Sequence, residues 1–191
     1  KGSAQAIIVN SGNANACVGE AGDEAALLMA EKTAQMLGIA PEDVLVASTG
    51  VIGEKMPLER VEQGIEKVAT KLLESNSTRE DAHLGALAIM TTDTVPKEAA
   101  CELKVGEGVV RLGAMAKGSG MIHPNMGTML GFITTDAVIP ATDLQVLLRE
   151  AVEDIFNMVT VDGDTSTNDM VLALANGQSG ISLKGEDWEE F

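Results

Sequence analysis

A glycine and a threonine, Gly127-Thr128, stand where a loop of unusual composition meets an apolar, strand-like run. A threonine hydroxyl is a weak nucleophile, but an N-terminal threonine can use its own α-amine, with a pKa of about 8, as the base. A preceding glycine leaves its carbonyl open to attack and tolerates a strained backbone. The pair therefore suggests a self-cleaving nucleophile, although a threonine that opens a strand after a glycine usually reflects only β-propensity.

A second candidate is the run Ser48-Thr49-Gly50, which follows an apolar strand predicted over 44–47. Backbone N–H groups and a hydroxyl at a strand end can stabilise the negative charge that develops on an attacked carbonyl oxygen. A turn that closes the strand is the plainer interpretation of the same residues.

The lysine of the loop, Lys117, precedes Gly118-Ser119-Gly120. This order is neither the spacing of a phosphate-binding loop nor that of a dinucleotide-binding turn, so nucleotide binding is rejected. A lysine beside glycines fits a carboxylate ligand better, and a solvated lysine is the default alternative. His123 is interpreted as a hydrogen-bonding loop residue rather than as a general base.

A polar run over 160–169 contains several acidic residues. A calcium loop of the EF-hand type counted from Asp162 would need glycine at its sixth position, where this chain has Thr167. Helix capping and hydrogen bonds across the core are expected instead, with Ser166 or Thr167 as the cap of a helix over 170–175.

Composition excludes several classes of function. The formal charge is −16 and the chain has no Tyr, one Trp and three Phe, so nucleic-acid and membrane binding are not expected. Two separated cysteines, Cys17 and Cys101, and two histidines predict no structural metal site. Lone cysteines suggest buried thiols in a reducing compartment. The abrupt start and end of the sequence suggest a segment of a longer protein.

Strand-like and helix-like segments alternate along the chain, and one hairpin interrupts the alternation. We expect an α/β fold with a mixed sheet and flanking helices in a single catalytic domain segment, 1–191. Strands are predicted over 4–9, 44–47, 100–105, 109–116 and 128–135, and helices over 23–37, 58–73, 78–89, 143–158 and 170–175.

Five of these stretches together resemble the ornithine acetyltransferase family, the bifunctional glutamate N-acetyltransferases of the cyclic arginine pathway. They occur in the family's order and span nearly the whole chain. The matching runs are Asn10-Ser11-Gly12-Asn13-Ala14-Asn15-Ala16, Ser48-Thr49-Gly50-Val51-Ile52-Gly53, Met90-Thr91-Thr92-Asp93-Thr94, Lys117 through Leu130, and Thr160 through Asp169.

The resemblance implies a precursor with an N-terminal-nucleophile-like, self-processing architecture that cleaves itself between Gly127 and Thr128. The products would be an α-chain part, 1–127, and a β-chain part, 128–191, which stay associated, in an α2β2 assembly. The residue before the threonine is often alanine in the family and is glycine here, a mild departure that should not impair cleavage.

The resemblance also assigns roles to residues on both sides of the cleavage point. Thr128 would be the acetyl acceptor. Thr49 and Gly50 match the family's oxyanion pair. Thr91 and Lys117 match positions that bind the amino-acid substrate.

The implied reaction moves an acetyl group from N2-acetyl-L-ornithine to L-glutamate in a ping-pong cycle in the cytoplasm. Its partners would be small amino-acid substrates. No cofactor or metal is expected, and acetyl-CoA is a possible second acetyl donor. The nearest alternative is a related self-processing amidohydrolase or aminopeptidase, with water as the acceptor. A non-catalytic domain that binds an amino acid or a partner is the alternative from another class.

Overall fold

The computed structural model describes residues 2–74, 78–123, 129–183 and 187–191. The chain groups into two compact units, which we call the N-unit (Ser3–Thr94) and the C-unit (Val95–Phe191). The division after Thr94 reflects how the chain packs, whereas the expected boundary between the α-chain and β-chain parts is a break in the covalent chain between 127 and 128. The first does not test the second. The single catalytic domain and the two chain parts therefore stay predictions.

The N-unit is built on two parallel strands joined by a helix. Strand β1 (Ala6–Asn13) leads into helix α1 (Glu20–Leu37) and then into strand β2 (Val44–Val51), which pairs with β1 from Ala6–Val44 onward. Two further helices follow, α2 (Leu58–Glu74) and α3 (Arg79–Ala88). The core lies where α1 and α2 meet the sheet and consists of Ala25, Met29, Met56 and Ile65, packed against partly buried residues that include Ile8 and Val46.

The helix ends in the N-unit are explained by the residues next to them in the sequence. Gly38 ends α1 in the left-handed conformation with φ +69°, and its N–H donates to the Ala34 carbonyl. Thr78 caps α3 in a reciprocal capping box with Asp81. The predicted helices over 58–73 and 78–89 are confirmed within a residue or so. Helix α1 begins at Glu20, almost one turn before the start predicted at position 23.

The C-unit contains a four-stranded mixed sheet in the order β3-β4-β5-β6. Its elements are β3 (Lys97–Val105), β4 (Gly108–Lys117), β5 (Leu130–Thr135), α4 (Ala141–Asp154), β6 (Met170–Ala175) and the short α5 (Asp187–Glu190). Strands β3, β4 and β5 are antiparallel neighbours, whereas β5 and β6 are parallel. The predicted mixed sheet with flanking helices and the predicted hairpin are confirmed.

The segment 170–175 is a strand, so the expectation of a capped helix there was wrong. A run of six residues, Met-Val-Leu-Ala-Leu-Ala, is too short to decide between the two structures by periodicity. The parallel pairing with β5, from Leu130–Met170 to Thr135–Ala175, decides it in favour of the strand. Ser166 and Thr167 consequently cap no helix.

Other strand and helix boundaries differ from the predicted ones. Strands β1 and β2 each run four residues past their predicted ends, and α4 ends at Asp154, followed by a short 3-10 turn over Phe156–Met158. Both cysteines, Cys17 and Cys101, are exposed free thiols, so their expected burial was wrong. Among the described residues, no helix is long and apolar enough to cross a membrane.

Candidate active site

The predicted oxyanion pair lies inside strand β2 rather than in a turn after it. Thr49 is 2% exposed and pairs with Ser11 of β1, and Gly50 pairs with Gly12. Gly50 has φ +132°, and a Cβ atom on it would lie 2.3 Å from the Gly12 carbonyl carbon and 2.5 Å from the Asn13 nitrogen. The position therefore requires glycine because of both its backbone conformation and this close main-chain approach.

The asparagine-rich stretch that ends β1 is fixed by its own amide groups. Asn10 Nδ2 donates to the Asn13 carbonyl at 2.8 Å, and Asn15 Nδ2 donates to the Gly22 carbonyl at 2.7 Å. Asn13 Nδ2 donates to the Glu54 carbonyl at 3.1 Å. The buried Oδ1 atoms of these three asparagines accept no hydrogen bond from the described residues. The amide network thus shapes the backbone beside Gly50.

A hydrogen bond joins β1 to the end of helix α3, two residues before the third sequence motif. Ser11 Oγ, opposite Thr49, donates to the carbonyl of Ala88 at 2.5 Å, at the end of α3. Thr91 follows three residues later; it is exposed, and its N–H donates to Asp93 Oδ2 at 3.4 Å. Two of the motifs thus lie at the carboxyl ends of β1 and β2, and the end of α3, just before the third motif, is bound to β1.

In the C-unit, three strand ends meet around Lys117. This lysine is the last residue of β4, is 1% exposed, and pairs with Leu130, the first residue of β5. Leu130 in turn pairs with Met170, the first residue of β6. The burial of Lys117 rules out the alternative of a solvated lysine. A buried ammonium group needs polar or charged surroundings, and a carboxylate ligand for it stays a prediction.

Asp169 fixes the entry into β5. The Met129 N–H donates to Asp169 Oδ1 at 2.8 Å, and the Met170 N–H donates to the Met129 carbonyl at 3.0 Å. Burial raises the pKa of Asp169, whereas the Met129 N–H and the positive charge of Lys117 act in the opposite direction. The residue directly after position 128 is thus held by a partly buried carboxylate within electrostatic range of Lys117.

Asp162 fixes the chain on the other side of the 124–128 segment. Its carboxylate accepts from the Met121 N–H at 2.6 Å and from the Ile122 N–H at 3.0 Å. These backbone hydrogen bonds, that from Met121 first, lower the pKa of Asp162. The polar run thus makes long-range hydrogen bonds as expected, but Asp162 is exposed, so these bonds do not cross the core.

The loop around Ile122 makes further bonds with the polar run. The Val161 N–H donates to the Ile122 carbonyl at 2.8 Å, and Thr160 Oγ1 lies 3.4 Å from His123 Nδ1. The interpretation of His123 as a hydrogen-bonding loop residue is confirmed. The sequence showed the acidic residues of 160–169 but gave no sign of which main-chain groups they would bind.

Gly127 and Thr128 lie outside the described residues, so the predicted scissile bond and nucleophile stay predictions. The oxyanion pair and Thr91 belong to the N-unit, and Lys117 belongs to the C-unit. In the part of the chain that the structure describes, no group of three His, Cys, Asp or Glu residues could hold a metal ion.

A groove of about 540 Å³ lies between β1 and α2 in the N-unit. Its lining is mostly apolar and includes Ile8, Met29 and Val61, together with the edge of β1 from Asn10 to Asn13. Thr49, Gly50 and Thr91 do not line it. The groove therefore does not contain the side chains that carry the predicted chemistry.

A family model described as the ArgJ family matches residues 1–191, the whole chain. The chain belongs to the ArgJ family. The resemblance inferred from the five motifs is confirmed.

Curated relatives agree with the ArgJ assignment. The arginine biosynthesis bifunctional protein ArgJ of Symbiobacterium thermophilum is 58% identical over 179 residues, which are 94% of this chain and 43% of that protein. The protein of the same name from Bacillus subtilis is 53% identical over 187 residues, 98% of this chain and 44% of the relative. The chain thus spans less than half the length of these ArgJ relatives.

Two solved structures are similar in fold. The crystal structure of arginine biosynthesis bifunctional protein ArgJ from Bacillus halodurans has a TM-score of 0.56 and 43% identity, and the match covers 63% of this chain and 61% of that one. Ornithine acetyltransferase from Mycobacterium tuberculosis, crystallised with ornithine, has a TM-score of 0.52 and 35% identity, with 62% and 61% covered. These ArgJ-type structures agree with the mixed α/β fold.

Proposed function

We propose that this chain carries the self-cleavage site and much of the acetyl-transfer centre of a glutamate N-acetyltransferase of arginine biosynthesis. The match of the ArgJ family model to residues 1–191 is the observation that carries the proposal. The names of the relatives and the ornithine bound to a similar solved structure support the pathway and the substrate class.

The first reaction is the cleavage of the bond between Gly127 and Thr128. The Thr128 hydroxyl oxygen attacks the Gly127 carbonyl carbon and loses its proton, and the carbon–nitrogen bond then breaks while the nitrogen gains a proton. This N→O acyl shift leaves an ester between the two residues. Water hydrolyses the ester, which releases a Gly127 carboxylate and restores the Thr128 hydroxyl beside a free α-amine.

The second reaction is the transfer of acetyl through the same hydroxyl. The free α-amine of Thr128 takes the hydroxyl proton as the oxygen attacks the acetyl carbonyl of N2-acetyl-L-ornithine, and ornithine leaves with that proton on its amine. The amine of L-glutamate then attacks the acetyl-threonine ester, which yields N-acetyl-L-glutamate and regenerates Thr128. A ping-pong cycle results.

The remaining predicted residues surround these steps. Thr49 and Gly50 would stabilise the oxyanion, a role favoured by a buried hydroxyl and by a backbone that only glycine can adopt beside Gly12. Thr91 and Lys117 would bind the substrate. The buried charge of Lys117 suits the α-carboxylate that ornithine derivatives and glutamate share.

The proposal extends to donor, assembly and location. The relatives are named bifunctional, which favours a test of acetyl-CoA as a second acetyl donor. The two chains produced by cleavage would remain together as α2β2, and the enzyme would work in the cytoplasm with other amino-acid biosynthetic enzymes. No cofactor is proposed.

Denaturing mass measurement tests the cleavage. The wild-type protein carrying this chain is expected to give two fragments split between Gly127 and Thr128, and Thr128→Ala is expected to give one intact chain. The control is Thr134→Ala, an exposed threonine of β5 whose hydroxyl lies 3.3 Å from the Gly113 carbonyl; it should be cleaved like the wild type. An intact wild-type chain that still acetylates glutamate would contradict the mechanism.

An acceptor assay tests the transfer. Cleaved protein incubated with N2-acetyl-L-ornithine should form N-acetyl-L-glutamate when glutamate is added, and acetyl-threonine enzyme should accumulate when it is not. Rapid release of free acetate with no effect of glutamate would instead identify the alternative, a self-processing amidohydrolase or aminopeptidase that uses water.

A further inference from the structure

Two carboxylates of one loop bind the main chain on opposite sides of the 124–128 segment. Asp162 and Asp169 stand seven positions apart in the polar run, which ends where β6 begins. Asp162 accepts from N–H groups before the segment, and Asp169 accepts from the N–H group directly after it. One short loop is thereby attached to both flanks of the proposed scissile bond.

The upstream attachment consists of several bonds to one carboxylate. Asp162 receives the N–H groups of Met121 and Ile122 and, from its own loop, that of Asp164 at 3.4 Å. Met121 has φ +57°, a conformation that methionine seldom adopts without surrounding support. The Val161 N–H adds a main-chain bond to the Ile122 carbonyl at 2.8 Å. The carboxylate thus stabilises the left-handed conformation at Met121 and the main chain at Ile122.

The downstream attachment fixes the strand that would carry the nucleophile. Met129 donates its N–H to Asp169 and accepts from the Met170 N–H through its carbonyl, so both of its main-chain polar groups are bound. Its side chain is also buried. Met129, the residue directly after the proposed nucleophile, is thus fixed through both its main chain and its side chain.

We propose that Asp162 and Asp169 are positioning residues that hold the two flanks of the scissile bond, and that they differ in when they are needed. The inference rests on the proposed function. Cleavage requires both flanks, since the attacking hydroxyl and the attacked carbonyl belong to adjacent residues. Acetyl transfer requires the downstream flank, which still carries Thr128, whereas the carbonyl of Gly127 no longer reacts.

The test compares the rate of self-cleavage with the activity of the cleaved enzyme. The protein carrying this chain is made by pulse-labelled cell-free synthesis, and the two fragments are followed over time on a denaturing gel. The cleaved fraction is then assayed for kcat and KM with N2-acetyl-L-ornithine and glutamate. A displacement of about 1 Å lowers a rate by about 100-fold, which sets the size of the effect to be sought.

Asp162→Asn is expected to slow cleavage by about 100-fold and to leave kcat of the cleaved fraction unchanged. Asp169→Asn is expected to slow cleavage and to lower kcat, each by about 100-fold, with little change in KM. The matched control is Asp164→Asn in the same loop, because the Asp164 carboxylate is exposed and makes no hydrogen bond with the described residues. It should change neither rate.

Thermal unfolding and the conservative variants separate positioning from folding. Asp162→Glu and Asp169→Glu keep the charge and displace the acceptor oxygens by about one bond length, and both should fold. Asp162→Glu should again slow cleavage alone, whereas Asp169→Glu should slow cleavage and lower kcat. Wild-type cleavage rates in both asparagine variants would overturn the proposal, and so would equal losses of kcat in both. A wild-type protein that neither cleaves nor transfers acetyl would instead contradict the proposed function itself.

Discussion

Gly50→Ala is expected to disrupt the pairing of β1 with β2 at the oxyanion pair. The new Cβ would lie 2.3 to 2.6 Å from main-chain atoms of Gly12 and Asn13, and the backbone would keep φ +132°. Backbone strain of this kind costs about 1–3 kcal/mol, and overpacking against groups that cannot rotate away costs about 1–3 kcal/mol more. Together they would lower the melting temperature by roughly 4–24 °C.

The assay is thermal unfolding followed by circular dichroism, performed in the Thr128→Ala background so that one intact chain unfolds. The matched control is Gly53→Ala, which also has a positive φ, +83°, but whose added Cβ would meet nothing within 4 Å. It isolates the backbone cost, about 1–2 kcal/mol. If Gly50→Ala melts no lower than Gly53→Ala, the close approach of Gly12 does not constrain β2 and the reasoning fails.

Two further predictions concern charged groups. Lys117→Met should raise KM for both N2-acetyl-L-ornithine and glutamate by about 10- to 100-fold, since a charge-assisted hydrogen bond contributes about 1.5–3 kcal/mol. The control, Lys104→Met at an exposed lysine, should leave both KM values unchanged. Unchanged KM values in Lys117→Met would show that Lys117 does not bind the substrate. Asp81→Asn should make the free energy of unfolding less dependent on pH in acid. The hydrogen bond from Lys71 and those from Thr78 lower the pKa of Asp81 below its ordinary 3.8. The carboxylate therefore contributes fully to stability above pH 3.8, and this contribution is lost as the pH falls through the folded-state pKa. Unfolding measured over this acidic range, with exposed Glu80→Gln as the control, should show the difference, and equal acid sensitivity of Asp81→Asn and wild type would argue against it.

The sequence predicted the elements whose signals are local. The cap at Thr78, the glycine stop at Gly38 and the hairpin around Gly106 each arise from neighbouring residues, whereas the reciprocal bond from Asp81 was found only in the structure. Segment 170–175 was assigned wrongly because its structure depends on a partner strand 40 positions away in the register. Short apolar runs take their conformation from the sheet they join.

The site could be predicted in its residue types but not in its contacts. Glycine at position 50 and lysine at position 117 were identified from composition and from the family resemblance. The burial of Lys117 and the bonds from Asp162 and Asp169 to main-chain N–H groups were not, because such bonds follow no sequence spacing. The sequence of a polar run does not show which of its acidic residues will accept a hydrogen bond from which N–H group, because the fold decides the pairing.

The ladder between β4 and β5 has a consequence for the lifetime of the cleaved protein. Six residue pairs, from Leu112–Thr135 to Lys117–Leu130, join strands on opposite sides of the proposed break. Cleavage would remove none of these pairs, yet it would turn a closed connection into an interface between two separate chains. Refolding would then become a bimolecular encounter that depends on protein concentration, whereas the intact precursor refolds as one chain. Self-cleavage would thus make the native sheet depend on its first folding, so that the mature enzyme persists through slow unfolding rather than through easy reassembly.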